Sequence, residues 1–174
     1  ATVDRVWEML RAFASFGFCK AHAAAFALPT YQSAWLKAHH PAAFYAGVLT
    51  HDPGMYPKRL ILDDARGHGV AVLGLDVNAS CEVYRVEAVD DGWGIRLPFS
   101  EVAGISDAEV ERLVRGQPYS SLSDAWQRGG ITRVTAERMV VAGAFDRMYH
   151  LDLPAALRKR GSLTRRDLQQ ALGL

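Results

Sequence analysis

The sequence predicts a mainly α-helical protein with one small β-hairpin, and three observations lead there. Apolar side chains recur at helical spacing through residues 2–67, two-residue alternation is confined to Cys81–Phe99, and beyond Ser106 each short periodic run opens on a helix-capping side chain. With 174 residues, 49% of them hydrophobic and 22% charged, the chain has an ordinary globular mix and the length to bury a core without disulfides or metals.

Taken in order, Val3, Trp7, Leu10 and Phe13, with Met9 beside them, predict an amphipathic helix over 2–14 packed by its Trp face and broken at Gly17. Residues 21–39 are Ala-rich with Phe26, Tyr31, Trp35 and Leu36 on one broad face, and predict a second helix interrupted or kinked at Pro29. Pro41 suits the first turn of a third helix to about Leu49. His51–Tyr56, with Pro53 and Gly54, reads as a loop, and Pro57 opens a fourth helix that Gly67 and Gly69 close. Val70–Leu75 is a short apolar run. Cys81–Val89 alternates as a strand, turns at Asp90-Asp91-Gly92 and returns through Trp93–Phe99. Ser106 with Glu109, and Ser121 with Asp124, have the spacing of capping boxes for helices to about Arg115 and Arg128. Thr132 caps a helix that Gly143 ends, and Thr164 with Asp167 caps a last one reaching about Gly173.

Several function classes are excluded early. The longest apolar stretch, Ala21–Leu28, contains His22 and stops at Pro29, too short for a membrane span or a signal-peptide core. Cys19 and Cys81 stand far apart with no metal-ligand spacing, so a reducing, cytoplasmic setting is expected. His39-His40, Asp63-Asp64 and Asp90-Asp91 are sequence neighbours that face apart or sit in a turn, and no metal set or catalytic carboxylate set emerges. A Cys19/His22 nucleophile pair has no third, orienting group. Because Ala1 is followed at once by amphipathic helix, a segment of a longer protein is expected.

The net charge of +1 hides a strong asymmetry. Residues 76–111 carry two Lys/Arg against nine Asp/Glu, while residues 112–174 carry eleven against five, ten of the eleven being arginine. Arginine suits forked contact with phosphate oxygens, although the same count also fits cations solvating exposed helix faces. Val102-Ala103-Gly104-Ile105 before the helix bearing Val110 and Leu113 is echoed by Gly129-Gly130-Ile131-Thr132 before the helix bearing Met139 and Val140. Such a repeat is the organisation of paired helix-hairpin-helix units, in which a glycine lets the backbone turn tightly and aims free N–H groups at a phosphate. Gly104, Ile105, Ser106 and Thr132 would present that backbone, flanked by Arg112, Arg115, Arg133 and Arg138. An ordinary packing corner between helices would share this pattern. Lys20 and His22, at the start of a helix, would suit a polyanion such as a triphosphate, with aromatic neighbours offering a surface to a base; an internally bonded His22 and a solvated Lys20 are the other reading.

Phe16-Gly17-Phe18-Cys19-Lys20-Ala21-His22-Ala23-Ala24-Ala25-Phe26-Ala27-Leu28, followed by Tyr31-Gln32-Ser33-Ala34-Trp35-Leu36-Lys37-Ala38-His39-His40-Pro41-Ala42-Ala43-Phe44, resembles the fingers of the bacterial C-family DNA polymerases, the alpha subunit of DNA polymerase III and its error-prone paralogue. The resemblance continues through Asp76-Val77-Asn78-Ala79-Ser80, the Ile95-Arg96-Leu97 strand, Val102-Ala103-Gly104-Ile105 and Ala142-Gly143-Ala144-Phe145-Asp146, and so covers residues 3–147.

It implies a C-terminal part of the fingers at 1–76, a β-hairpin connector at 77–99 and a tandem helix-hairpin-helix domain at 100–149; after Asp146 the resemblance fades, and 150–174 reads from its residues as a basic helical segment. Lys20 and His22 match basic positions near the incoming dNTP, Lys20 neutralising triphosphate charge and His22 bonding a phosphate or protonating the leaving group. The family's metal-binding aspartates lie in a palm that these residues do not match, so Mg2+ is expected in the parent palm and no cofactor in this chain. The expected role is sequence-independent binding of duplex DNA and support of the nucleotide side of the site, with replisome or translesion subunits as further partners and no membrane. The alternative is a protein-interaction module of a replication or repair assembly without direct DNA contact. Pro29 and Ser106, where the family has a continuous helix and commonly a second hairpin glycine, depart from the pattern. Lys20 leans toward the replicative form, and His39-His40-Pro41 with Asp64-Ala65-Arg66 toward the error-prone one.

Overall fold

The computed structural model describes residues 2–14, 20–151 and 165–171. The expectations resting on Gly17, Cys19, residues 152–163, Thr164 and Gly173 lie outside them. The chain divides into two compact units, Ala1–His40 and Pro41–Leu174.

The first unit holds α1 (Thr2–Ala14) and α2 (Lys20–His39). The predicted helix α1 forms, but its expected packing does not: Trp7 is 64% exposed, and Val3, Val6, Met9 and Leu10 are open with it. No described residue covers that face. Helix α2 runs through Pro29 without the interruption that proline predicts. Proline deletes one N–H, and because no α2 residue is buried, the Ala25 carbonyl that loses its donor is open to water.

In the second unit, α3 (Pro41–His51) buries Ala42, Tyr45, Ala46 and Leu49, one helical stripe, against α4 (Lys58–Gly67) and a small sheet. The Tyr45 hydroxyl donates to Asp64 Oδ2 at 2.6 Å and lies 3.0 Å from His68 Nδ1, which pins α3 to α4. The sheet has three strands where the sequence predicts a hairpin. β2 (Arg85–Val89) and β3 (Gly92–Arg96) form that hairpin around Asp90-Asp91, and β1 (Ala71–Leu73) joins β3 in parallel, giving the order β1-β3-β2. Val70–Leu75 alone is too short to announce a strand; what makes it one is the pairing of Val72 with Ile95. The expected strand from Cys81 starts only at Arg85, because Tyr84 turns into the core beside Ile95 and Cys81 offers its carbonyl to the Phe99 amide instead of to a ladder.

Beyond a 3-10 turn at Phe99–Glu101 come α5 (Asp107–Gly116), α6 (Leu122–Gly129), α7 (Arg133–Val141) and, after a series of turns, α8 (Arg165–Ala171). They share a core of Phe99, Leu113, Ala125, Met139 and Phe145, all with essentially no exposed surface. The Ser106/Glu109 capping box forms in both directions. At α6 only half of the predicted box forms. Ser121 accepts from the Asp124 amide, but the Asp124 carboxylate takes the Ser120 amide and hydroxyl in place of the Ser121 amide. Thr132 caps α7 as expected, through the Thr135 amide.

Candidate nucleic-acid interface

Two hairpins stand in the second unit. In the first, Gly104 has φ +72°, and the chain passes from the 3-10 turn into α5. In the second, Gly130 has φ +55°, and the chain passes from α6 into α7. An L side chain is strained at such angles, so glycine is what both bends require. Both glycines and both N-caps, Ser106 and Thr132, are exposed, while Ile131 is buried and Ile105 half-buried beneath. Gly104-Ile105-Ser106 thus superposes in role on Gly130-Ile131-Thr132, and the core residues Leu113 and Met139 correspond in the helices that follow.

The hydrogen bonds divide the amides at these bends. The Ile105 N–H turns inward to the Val102 carbonyl at 3.1 Å, the Ser106 N–H goes to Glu109 Oε2 at 3.0 Å, and the Thr132 N–H goes to Glu109 Oε1 at 2.9 Å. The Gly104 amide has no acceptor among the described residues, and neither do those of Asp107 and Ala108 in the first turn of α5, while the Gly130 amide closes the C-terminal end of α6. Of the backbone groups expected to face a phosphate, the amides of Ile105, Ser106 and Thr132 already have protein acceptors, which leaves Gly104 and the first turn of α5 as donors.

Each hairpin is braced by an arginine from the other repeat. Arg112 of α5 reaches the second hairpin, donating through Nη2 to the Gly130 carbonyl at 3.0 Å and through Nε to the Gly129 carbonyl at 3.3 Å. Arg138 of α7, at the corresponding position, donates to the Ala103 carbonyl of the first hairpin, and its guanidinium fills the space a Gly104 Cβ would need. Both arginines are exposed, so their charge stays at the hairpin surface. Arg115 pairs with Glu111 and Arg133 with Glu137 along their own helices, exposed pairs of the kind that stabilise little and yield easily. That Arg112 and Arg138 cross between repeats is not legible in the sequence, because the crossing is a tertiary contact.

Between the hairpins lies Glu109, 5% exposed. Burial pushes its carboxyl up, but the Thr132 and Ser106 amides with the Ser106 and Thr135 hydroxyls overcome that and hold it down at about 2. It is a carboxylate with four donors from two repeats. The sequence marked Glu109 only as a local cap.

The sheet is tied to this assembly by residues the sequence assigned no role. Asn78 Nδ2 donates to the Tyr119 carbonyl at 2.9 Å and its Oδ1 accepts the Tyr119 amide at 2.7 Å. Gln117 Nε2 donates to the carbonyls of Val77 and Ser80, and Ser80 Oγ to that of Leu97. The segment Asp76–Ser80 is therefore a clamp that seats Gln117–Tyr119, between the two hairpins. Lys58 Nζ meets Glu101 Oε1 at 2.6 Å, its pKa raised by that bond, and joins α4 to the turn that opens the first hairpin.

Lys20 and His22 lie in the first turn of α2, in the first unit, and both are exposed; the His22 ring rests 4.6 Å from that of Phe26. Among the described residues no group of three or more His, Cys, Asp or Glu side chains is arranged to hold a metal ion, and no helix is long and apolar enough to cross a membrane.

Comparison with known proteins agrees with this geometry. The helix-hairpin-helix motif model matches residues 69–151. The chain is 43% identical over 148 residues to the error-prone DNA polymerase of Nocardia farcinica, covering 82% of this chain and 13% of that protein. It is 35% identical over 147 residues to that of Teredinibacter turnerae, covering 80% and 14%, and 34% identical over 182 residues to that of Symbiobacterium thermophilum, covering 90% and 17%. The chain thus spans between 13% and 17% of the length of these curated relatives.

Proposed function

From the premise that this chain belongs to the error-prone DNA polymerases of the bacterial C family, we propose that it holds duplex DNA by its backbone, independently of sequence, through the two glycine hairpins. The observation that carries this reading is the pair of exposed positive-φ glycines, Gly104 and Gly130, each just before a helix and each with an arginine laid against it. An amide at such a bend donates to a phosphate oxygen and ignores the base. Arg112, Arg115, Arg133 and Arg138 add charge around the bends, and Ser106 and Thr132 hold the helices that back them.

Within the whole polymerase, residues 1–76 would serve as part of the fingers, 77–99 as connector, 100–149 as the duplex grip and 150–174 as a basic flank. Lys20 and His22 would face the triphosphate of an incoming dNTP. Nucleotidyl transfer with Mg2+ would belong to a palm; the described residues do not fit such a metal set. A second reading, docking of another replication or repair subunit, is favoured by the open apolar row of α1.

A salt titration tests the duplex reading. The affinity of the chain for a short duplex is expected at about 10⁻⁴ to 10⁻⁶ M near physiological salt, falling steeply as salt rises and unchanged by a scrambled sequence. Gly104→Val should weaken it several-fold, since the substitution strains φ and displaces Arg138. Binding without a salt slope, or equal binding by the variant, would refute the hairpin mechanism; binding only through a protein partner would favour the second reading.

A further inference from the structure

We infer that Glu109 is a positioning residue that sets the separation of the two hairpins, so that they grip DNA as one two-point unit; the inference rests on the duplex-binding reading. Its two carboxylate oxygens are divided between the repeats. Oε2 accepts the Ser106 amide at 3.0 Å and the Ser106 hydroxyl at 2.8 Å, both from the first hairpin. Oε1 accepts the Thr132 amide at 2.9 Å and the Thr135 hydroxyl at 2.9 Å, both from the second.

The asymmetry of the repeats makes this bond set informative. Where Glu109 stands in the first repeat, Thr135 stands in the second, so the second has no acid at that position and borrows this one. A capping box on a lone helix needs only the Ser106 half of these bonds. The Thr132 half does nothing for α5; it fixes where α7 begins relative to α5. Burial of a carboxylate is costly, and all four donors are spent on it within the seam.

The crossed arginines complete the lock. With Arg112 on the second hairpin and Arg138 on the first, three side chains hold two bends that are remote in sequence at one spacing. The Gly104 and Gly130 bends are thereby fixed relative to each other. Once one phosphate is bound, a second at fixed distance is reached without further ordering, and the benefit vanishes when the spacing loosens.

The test compares the full chain with Glu109→Gln and Glu109→Asp, at a temperature where circular dichroism shows each fully folded. Readouts are duplex affinity, the slope of affinity against salt, and amide hydrogen exchange at Ser106 and Thr132, the two amides that Glu109 accepts. Glutamine keeps one acceptor oxygen and turns an NH2 toward the other pair of donors, while aspartate keeps the charge and falls short of the seam. Expected for the folded Gln variant are roughly tenfold weaker binding, a slope shallower by about one ion, and faster exchange at one hairpin. The loss should appear even though the variant has shed a negative charge, which by electrostatics alone would tighten binding. Should the Gln variant not fold, the Asp variant carries the same comparison at constant charge. Folded variants with wild-type affinity and slope overturn the inference while leaving the duplex reading intact. A wild-type chain with no salt-dependent binding overturns that reading and the inference together.

Discussion

Glu109 shows how one side chain is local in sequence and global in structure. Its spacing after Ser106 identifies a cap, and nothing in the sequence indicates Thr132 or Thr135 as partners. Its depressed pKa makes acid sensitivity a residue-scale prediction. The unfolded chain takes up this proton near the ordinary value of 4.5 and the folded chain only near 2, so the ionised residue contributes in full above 4.5. That contribution, about 3 kcal/mol, is lost progressively as pH falls from 4.5 toward 2. Urea unfolding at pH 6 and pH 3 should show the loss in the wild type and a smaller one in Glu109→Gln; parallel losses would refute the assignment. Gly104, Ser106 and Thr132 were legible as residues because steric and capping demands act over one or two positions. The partners of Arg112 and Arg138 were not, since a guanidinium can be spent on any nearby carbonyl.

Helices were the most readable elements. Each of α3 to α7 begins or ends where a proline, a capping hydroxyl or a glycine stands, because these residues act on the backbone of the same turn. Strands were read less well. β1 exists only through β3, and the start of β2 is set by where Tyr84 is buried. The clamp at Asp76–Ser80 is an element-scale device with a measurable contribution. Asn78→Ala removes two bonds to the Tyr119 backbone, and the expected destabilisation is about 1 to 2 kcal/mol in urea unfolding. Because the clamp seats Gln117–Tyr119 at the junction of α5 and α6, hydrogen exchange at the α6 amides should quicken while α3 keeps its protection; equal effects on both would show that the clamp is not local.

At the scale of the molecule, the two units differ in how they hold themselves together. The second unit has two apolar clusters, one under the sheet around Tyr45 and Ile95 and one under the hairpins around Phe99, Leu113 and Phe145. In the first, α2 has no buried residue and the apolar face of α1 is open. Amide exchange should therefore be fast throughout α2 and slow in β3, α5 and α7, with protection in β3 and α7 approaching that of global unfolding. Comparable protection in α2 would show that it is covered by a surface this structure does not reveal. The open row Val3, Val6, Trp7 and Leu10 explains why periodicity overreached: an amphipathic pattern states that a helix has a face to bury, and is silent about what buries it.

By itself the sequence determined the helical class, the hairpin, the positions of both tight bends and their caps, and the kinship with C-family polymerases, because these depend on local backbone sterics and on motifs read in order. Only the tertiary structure decided that Arg112 and Arg138 cross between the repeats, that Glu109 serves both, and that a third strand completes the sheet. Those contacts join residues distant along the chain, and a charged side chain or a short apolar run has no intrinsic preference that names its partner.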